Sequence, residues 1–367
     1  MPRRGCPART RTDPGNPEPT RLHFSRAAPS VVAVIRNARV LQEDFLPKEV
    51  VHRHRQMNRI AAALEPVVEG DRPQHAFLTG PSGAGKTCIA RYSLDRLSEQ
   101  LLAVDTHYVD CWQHANRFRA LYKVLEGVGT TYDVHRSTPH DEMLGRLEAL
   151  EEPYVVVLDE VDQLEDKHLL RELYAVPAIT MVLVANREAD VVATLDERLQ
   201  SRLRSSEHVR FPAYTDDELV TILADRVGWG LESDCVTDDQ LRTIATAAAG
   251  NARDAIGILR SAARRAEREG RERVTDDLLS AAIPEGRAAV RRKDADRLTP
   301  HQRELYDLVS DAGEIAPGAL YDRYEESVDD PRTQRTCRTY LSKLERYNLV
   351  RAEGRGRSRV YVAVEPA

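Results

Sequence analysis

The chain has 367 residues and carries 53 basic against 59 acidic side chains, a formal charge of −6. That length exceeds one ordinary domain, and an apolar content of 41% excludes wholesale disorder. The net acidity excludes a uniformly basic nucleic-acid coat, so any such binding must use a local patch.

Residues 1–40 hold six prolines, and eight arginines against Asp13 and Glu18. Such a stretch buries too little apolar surface to fold alone, so a disordered basic tail is expected, solvated or serving as an arm on DNA. Order is expected from residue 41. Met57, Ile60, Leu64 and Val67 repeat at helical spacing, and 75–79 reads as a strand entering a glycine-rich loop. Strand-like runs recur at 103–109, 154–158 and 180–185 with helical patterns between them. This alternation predicts an α/β core with a parallel sheet over 41–213.

From 214 to 295 the strand signals vanish. A capping box at Thr215 and Glu218 opens one helix, and 237–249, 253–268 and a short 275–282 follow. An all-helical domain is expected there. From 296 to 367, helices around 299–310, 318–325 and 332–347 precede a hairpin formed by 349–352 and 360–364. Three helices and a hairpin predict a winged helix. The five cysteines, at 6, 88, 111, 235 and 337, include no C-x-x-C pair. They read as reduced structural thiols. Neither a membrane span nor a secretory signal is expected, because no apolar run is long enough.

Residues 80–87 read GPSGAGKT and fit G-x-x-x-x-G-K-[ST] between a strand and a helix. In such a loop the backbone N–H groups turn inward around phosphates, the lysine charge reaches the β/γ-phosphates, and the helix dipole points at the same anion. Gly80, Gly83, Ala84, Gly85, Lys86, Thr87 and Cys88 are therefore the expected contacts to ATP or ADP, with Thr87 also a Mg²⁺ ligand. The run 154–158 ends in Asp159 and Glu160. A buried strand delivering two carboxylates suits Asp159 to Mg²⁺ and Glu160 to polarising the attacking water. Asn186, at the tip of the next strand, is placed to position that water.

These residues resemble the AAA+ ATPases, and more closely the archaeal origin-recognition initiators related to eukaryotic Orc and Cdc proteins. The similarity covers about 41–364. It is carried by LQEDFLPKEVVHR (41–53), the GPSGAGKT loop, VVVLDEVDQL (155–164), LDERLQSRL (195–203), VRFPAYTDDEL (209–219), GNARDAIGILRSAARRAE (250–267) and the winged tail. The resemblance implies further roles. Residues 45–53 and Tyr214 would flank the adenine, and Arg226 would contact the nucleotide from the lid. Arg253 would be the sensor 2 arginine. Arg198, in preference to Arg202, would be a finger reaching a neighbouring subunit's γ-phosphate. Asp110 stands where the family commonly has Asn, and GNAR replaces GDAR.

Segment 331–359 holds nine basic residues against two acidic ones. Cys337, Leu341 and Leu344 form an apolar stripe, while Arg335, Thr339, Ser342 and Arg346 share another face. A helix with one buried and one basic side suits a major groove, and the EGRGRSR wing suits phosphates or a minor groove. Arg332, Arg335, Arg338, Arg346, Arg355, Arg357 and Arg359 are the expected DNA contacts. A helical insertion at 112–129, with Arg117, Arg119 and Lys123, is a second candidate.

The expectation is thus an ATP-dependent replication initiator. It would bind double-stranded origin DNA, acting alone or with other copies or paralogues, and help recruit the replicative helicase. Hydrolysis would serve as a slow switch, and the protein would be cytoplasmic and nucleoid-associated. The alternative is a divergent paralogue that binds DNA as a regulator or plasmid-maintenance protein without loading a helicase. A clamp loader fits less well, since those proteins end in a helical collar.

Overall fold

The computed structural model describes residues 33–364 except 70, 72, 102, 103 and 194, so most of the expected basic tail lies outside the described residues. The core runs α1 (His54–Leu64), β1 (Ala76–Thr79), α2 (Lys86–Gln100), β2 (Asp105–Asp110), α3 (Arg117–Glu126), α4 (His140–Glu148), β3 (Tyr154–Asp159), α5 (His168–Ala175), β4 (Ile179–Ala185), α6 (Glu188–Val192), α7 (Glu197–Arg204) and β5 (Glu207–Arg210). The strands form one parallel sheet in the order β2-β3-β4-β1-β5. β3 and β4 are buried at every position. Alternate residues feed two separate cores: Val156, Leu158, Met181 and Leu183 on one face, and Val155, Val157, Val182 and Val184 on the other. A strand covered on both faces reads as a continuous apolar run, as these two do. β1 lies inside the sheet between β4 and β5, and its carboxyl end opens where the chain order reverses, the usual crevice for a ligand.

The next four helices are α8 (Asp216–Gly230), α9 (Asp238–Ala248), α10 (Ala252–Arg268) and α11 (Asp276–Asp296). Capping boxes at Thr215/Glu218 and Thr237/Gln240 start the first two. α11 is much longer than the expected short helix over 275–282 and continues through Pro284. An interior proline costs about 3 kcal/mol, but apolar burial on both sides of it, at Leu279 and Ala282 before and Ala288 and Val290 after, holds the helix together. α11 crosses α10 closely at Gly286, where a Cβ would lie 2.5 Å from the Ile258 Cα.

The chain is ordered before the expected boundary at residue 40. The Val34 and Ile35 N–H groups donate to Glu267 Oε1 at 3.2 and 2.9 Å, and Ile35 bridges Leu231. Val34 and Leu41 are buried in the helical domain's core. The apolar side chains of this short stretch outweigh the surrounding proline and arginine.

The last region is α12 (Pro300–Ala312), β6 (Glu314–Ile315), α13 (Pro317–Ser327), α14 (Gln334–Arg346), β7 (Val350–Glu353) and β8 (Val360–Ala363). Its antiparallel sheet has the order β6-β8-β7. The architecture is therefore an AAA+ parallel-sheet core, an all-helical lid and a winged helix. Trp112, from the segment after β2, is buried in the winged helix's own core. Among the described residues no helix is long and apolar enough to cross a membrane.

Candidate functional site

The loop between β1 and α2 brings Gly80, Gly83, Ala84, Gly85, Lys86, Thr87 and Cys88 to the carboxyl end of the sheet. Gly85 precedes α2 at φ 92°, and a Cβ there would strike the Tyr214 hydroxyl, so only glycine fits. The Lys86 Nζ donates to the Gly80 and Pro81 carbonyls at 2.7 and 2.8 Å and to Asn186 Oδ1 at 3.0 Å. Burial pulls its ammonium down to about 8. A desolvated cation held only by neutral oxygens is a site that gains from an incoming anion.

The Thr87 hydroxyl donates to Asp159 Oδ2 at 2.7 Å, and the Tyr108 hydroxyl to the same oxygen at 2.8 Å. Burial raises the Asp159 carboxyl against those two hydrogen bonds. Glu160 follows with a left-handed backbone, φ 53°, and its N–H donates to Asp159 Oδ1 at 2.9 Å. Burial pushes its carboxyl up to about 7, with Arg297 pulling the other way. Thr87 and Asp159 form an all-oxygen donor set, which suits Mg²⁺. Among the described residues there is no group of three or more His, Cys, Asp or Glu for a metal, so a divalent ion here needs further oxygens from a ligand.

The wall opposite comes from the lid and the 45–53 segment. Arg53, at φ 62°, is buried; its Nε donates to the Ala84 carbonyl at 3.2 Å and its Nη2 to that of Pro212 at 2.7 Å. Its guanidinium stacks 3.8 Å from the Tyr214 ring centroid. Arg226 donates to the Val40 and Phe45 carbonyls at 2.8 and 3.2 Å and covers the Phe45 ring. Arg253 faces Glu43 at 3.5 Å and Asp294 at 3.3 Å. Phe45, Cys88, Tyr214, Arg226 and Arg253 line one cavity with Lys86, Thr87, Asp159, Glu160 and Asn186. Gly80 and Ala84 are structural neighbours of this cavity, Gly80 through its carbonyl on Lys86 and Ala84 through a side chain buried in the sheet's core. Arg198 lies outside it, exposed on α7, whereas Arg202 stacks over Tyr174.

The sequence reading overlooked three residues that close the site from the far side. Arg297, just past α11, pairs with Asp110 at 2.7 Å and lies 3.9 Å from Glu160 Oε1. The Tyr347 hydroxyl lies against the Glu160 carboxylate. Lys343 is buried with its Nζ 3.6 Å from the Trp112 ring centroid. No motif joins residues so far apart in the chain. The one available signal was Asp110, a second carboxylate at a strand end with no cation nearby in sequence.

On the winged helix, Arg332, Arg335, Arg338 and Arg355 are exposed. Arg346 is not the outward contact it was expected to be: it pairs with Asp162 at 3.2 Å and Asp190 at 2.7 Å, both in the core. The last turn of α14 abuts the acidic end of the sheet and its charge is used there. Arg359 is also engaged, with Glu345 at 3.0 Å. The Arg357 side chain lies outside the described residues. In the 112–129 insertion, Arg117 pairs with Asp166 and Glu172 and Lys123 with Glu126, which leaves Arg119 exposed.

Residues 69–192 match the AAA domain family, and 220–283 match the Cdc6 AAA+ ATPase-type lid domain. The chain is similar to the ORC1-type DNA replication protein 9 of Halobacterium salinarum, 50% identical over 90% of this chain and 94% of that one. It is also similar to the ORC1-type DNA replication protein 1 of the same organism, 48% identical over 83% of this chain and all of the other. Among solved structures, that of the Aeropyrum pernix ORC1 protein in complex with DNA superposes with a TM-score of 0.71. It is 27% identical and covers 90% of this chain and 93% of that one. The phosphate loop, the strand-end carboxylates, the helical lid and the winged helix thus occur together in a chain that belongs to the ORC1-type DNA replication protein family of AAA+ ATPases.

Proposed function

We propose that this protein is an ATP-dependent replication initiator that binds duplex origin DNA, helps recruit the replicative helicase and uses hydrolysis as a slow switch. The observation that carries the reading is the desolvated Lys86 beside the Thr87–Asp159 pair, on the same chain as a winged helix with an exposed arginine face. The A. pernix ORC1 protein was solved in complex with DNA, which supports DNA as the partner. In this reading the protein acts in the cytoplasm, at the nucleoid.

In this reading Lys86 leaves its loop carbonyls for the β/γ-phosphates, and Tyr214 and Arg226 hold the base side. Thr87 and Asp159 would hold Mg²⁺, which neutralises phosphate charge when bound. Arg253 exchanges its carboxylate partners for the nucleotide. Glu160 and Asn186 orient a water, whose oxygen bonds to the γ-phosphorus as the β–γ bridging P–O bond breaks. The water's proton passes to Glu160 and on to phosphate. Arg198, exposed on α7, serves a neighbouring copy's γ-phosphate. On the DNA side, Arg332, Arg335, Arg338 and Arg355 are the contacts.

Measured ATP binding and turnover test the reading. Lys86→Ala should lose about a hundredfold in affinity, the equivalent of ~3 kcal/mol for a charge-assisted contact. Glu160→Gln should bind ATP as the parent does and not turn it over. Unchanged affinity in the first variant, or persistent turnover in the second, contradicts the assignment.

A further inference from the structure

The Glu160 side chain is only 15% exposed, and Arg297 and Tyr347, which address it, come from outside the core. Arg297 spans Asp110 at 2.7 Å and Glu160 Oε1 at 3.9 Å, with its guanidinium 4.4 Å from the Trp112 ring centroid. Tyr347, the residue just past α14, packs tilted against Trp112 with ring centroids 4.3 Å apart and lies with its hydroxyl against the same carboxylate. Two further contacts of that helix fix its seat: Arg346 on Asp162 and Asp190, and Lys343 over Trp112. The carboxylate's second oxygen, Oε2, is buried without a hydrogen bond.

A carboxylate that polarises water must offer that water an oxygen. Here one oxygen faces a guanidinium, a phenol covers the group, and the other oxygen is closed off from solvent. We propose that Arg297 and Tyr347 are positioning residues that hold Glu160 off the lytic water while the winged helix is seated, so that unseating raises the hydrolysis rate. The proposal rests on the reading of Glu160 as the water-polarising group. It assigns the restraint to residues at the lid–wing junction and at the end of the DNA-facing helix, so one helix contacts the catalytic carboxylate at one end and presents arginines to solvent at the other. Any ligand that moves α14 thereby acts on Glu160.

The test is steady-state ATP turnover by the full chain and by Tyr347→Phe, Arg297→Met and Arg297→Lys, with kcat and KM determined separately. Tyr347→Phe keeps the ring on Trp112 and removes only the hydroxyl. Arg297→Met removes the charge, and Arg297→Lys keeps the charge without the two-pronged geometry. The expected result is a rise in kcat of roughly tenfold in Arg297→Met, the change that about 1.4 kcal/mol of released restraint produces. Tyr347→Phe should rise by a smaller factor, Arg297→Lys should fall between parent and Arg297→Met, and KM should not move. Arg346→Gln, which loosens the seat at Asp162 and Asp190 without touching Arg297 or Tyr347, should also raise kcat. A kcat that is unchanged or lower in both Tyr347→Phe and Arg297→Met, with folding verified by their melting curves, overturns the proposal. Turnover that survives in Glu160→Gln overturns instead the reading on which it rests, and the two failures are separately visible.

Discussion

The two ends of α14 carry the same kinds of residue and put them to opposite uses. Arg335 and Arg338, in its first half, are exposed, while Lys343 and Arg346, in its second half, are buried or paired against the core. Both ends contribute to one cluster of positive charge in the sequence. The difference is the surface opposite. The first half faces solvent, and the second meets Glu160, Asp162 and Trp112, from strand ends and the segments after them, and Asp190, from α6. A basic run therefore specifies where charge is concentrated, and the tertiary contacts divide it between an internal joint and an exposed arginine face.

The sharpest way to break this comparison is to remove charge at the buried end. Arg346→Met leaves Asp162, whose side chain is only 2% exposed, without its cation. Losing one partner of a fully buried pair costs 3–5 kcal/mol. Arg346 keeps 23% of its side-chain exposure, so solvent screening reduces the expected loss to about 2 kcal/mol, read in a denaturant titration. No loss would mean that the seat is held by apolar contact alone.

A second, pH-dependent effect follows at Lys343, which burial lowers to about 7 and which faces Glu160, Asp162, Arg297 and Asp110. In the unfolded chain it returns to about 10.5. Between pH 7 and 10.5 the unfolded chain therefore holds a proton that the folded one has shed, and stability rises with pH across that window. Below pH 7 both forms carry the proton and the native state bears the full cost of the buried charge. Lys343→Met should remove this rise, measured as melting temperature against pH. A variant that retains the same slope between pH 7 and 9 would place the titration elsewhere. At the exposed end, Arg335→Ala should change stability by no more than about 0.5 kcal/mol, as surface substitutions do.

The parts that were legible from sequence are those written locally. The phosphate loop, the apolar strand ending in Asp159 and Glu160, the capping box at Thr215 and the three-helix-plus-hairpin order each lie within one short window, and each stands in the structure. β5 was not legible, because its residues, Glu207–Arg210, are mostly polar and it is an edge strand that pairs with β1 alone. The continuation of α11 was hidden by Pro284, since a local penalty is visible in sequence and the packing on α10 that overrides it is not. Residues 33–40 fall inside a stretch, 1–40, whose six prolines and eight arginines read as a tail, and that count hides Val34 and Ile35, although burial of Val34 decides the matter. The joint of Arg297 and Tyr347 with Glu160 has no local signature. It links residues separated by more than a hundred positions, and only the fold brings them together.

The central claim, that the exposed half of this basic cluster binds duplex DNA while the buried half serves the nucleotide site, is tested most directly by salt dependence. Duplex binding by the full chain and by a triple variant, Arg335→Ala with Arg338→Ala and Arg355→Ala, would be titrated over a range of salt concentrations, with ATP affinity measured alongside. Each phosphate contact contributes about 0.9 to the slope of log K against log salt, so the triple variant should lose ~2.7 in slope. Its ATP affinity should equal that of the parent. An unchanged slope, or a loss of ATP binding with it, would contradict the division of labour along α14.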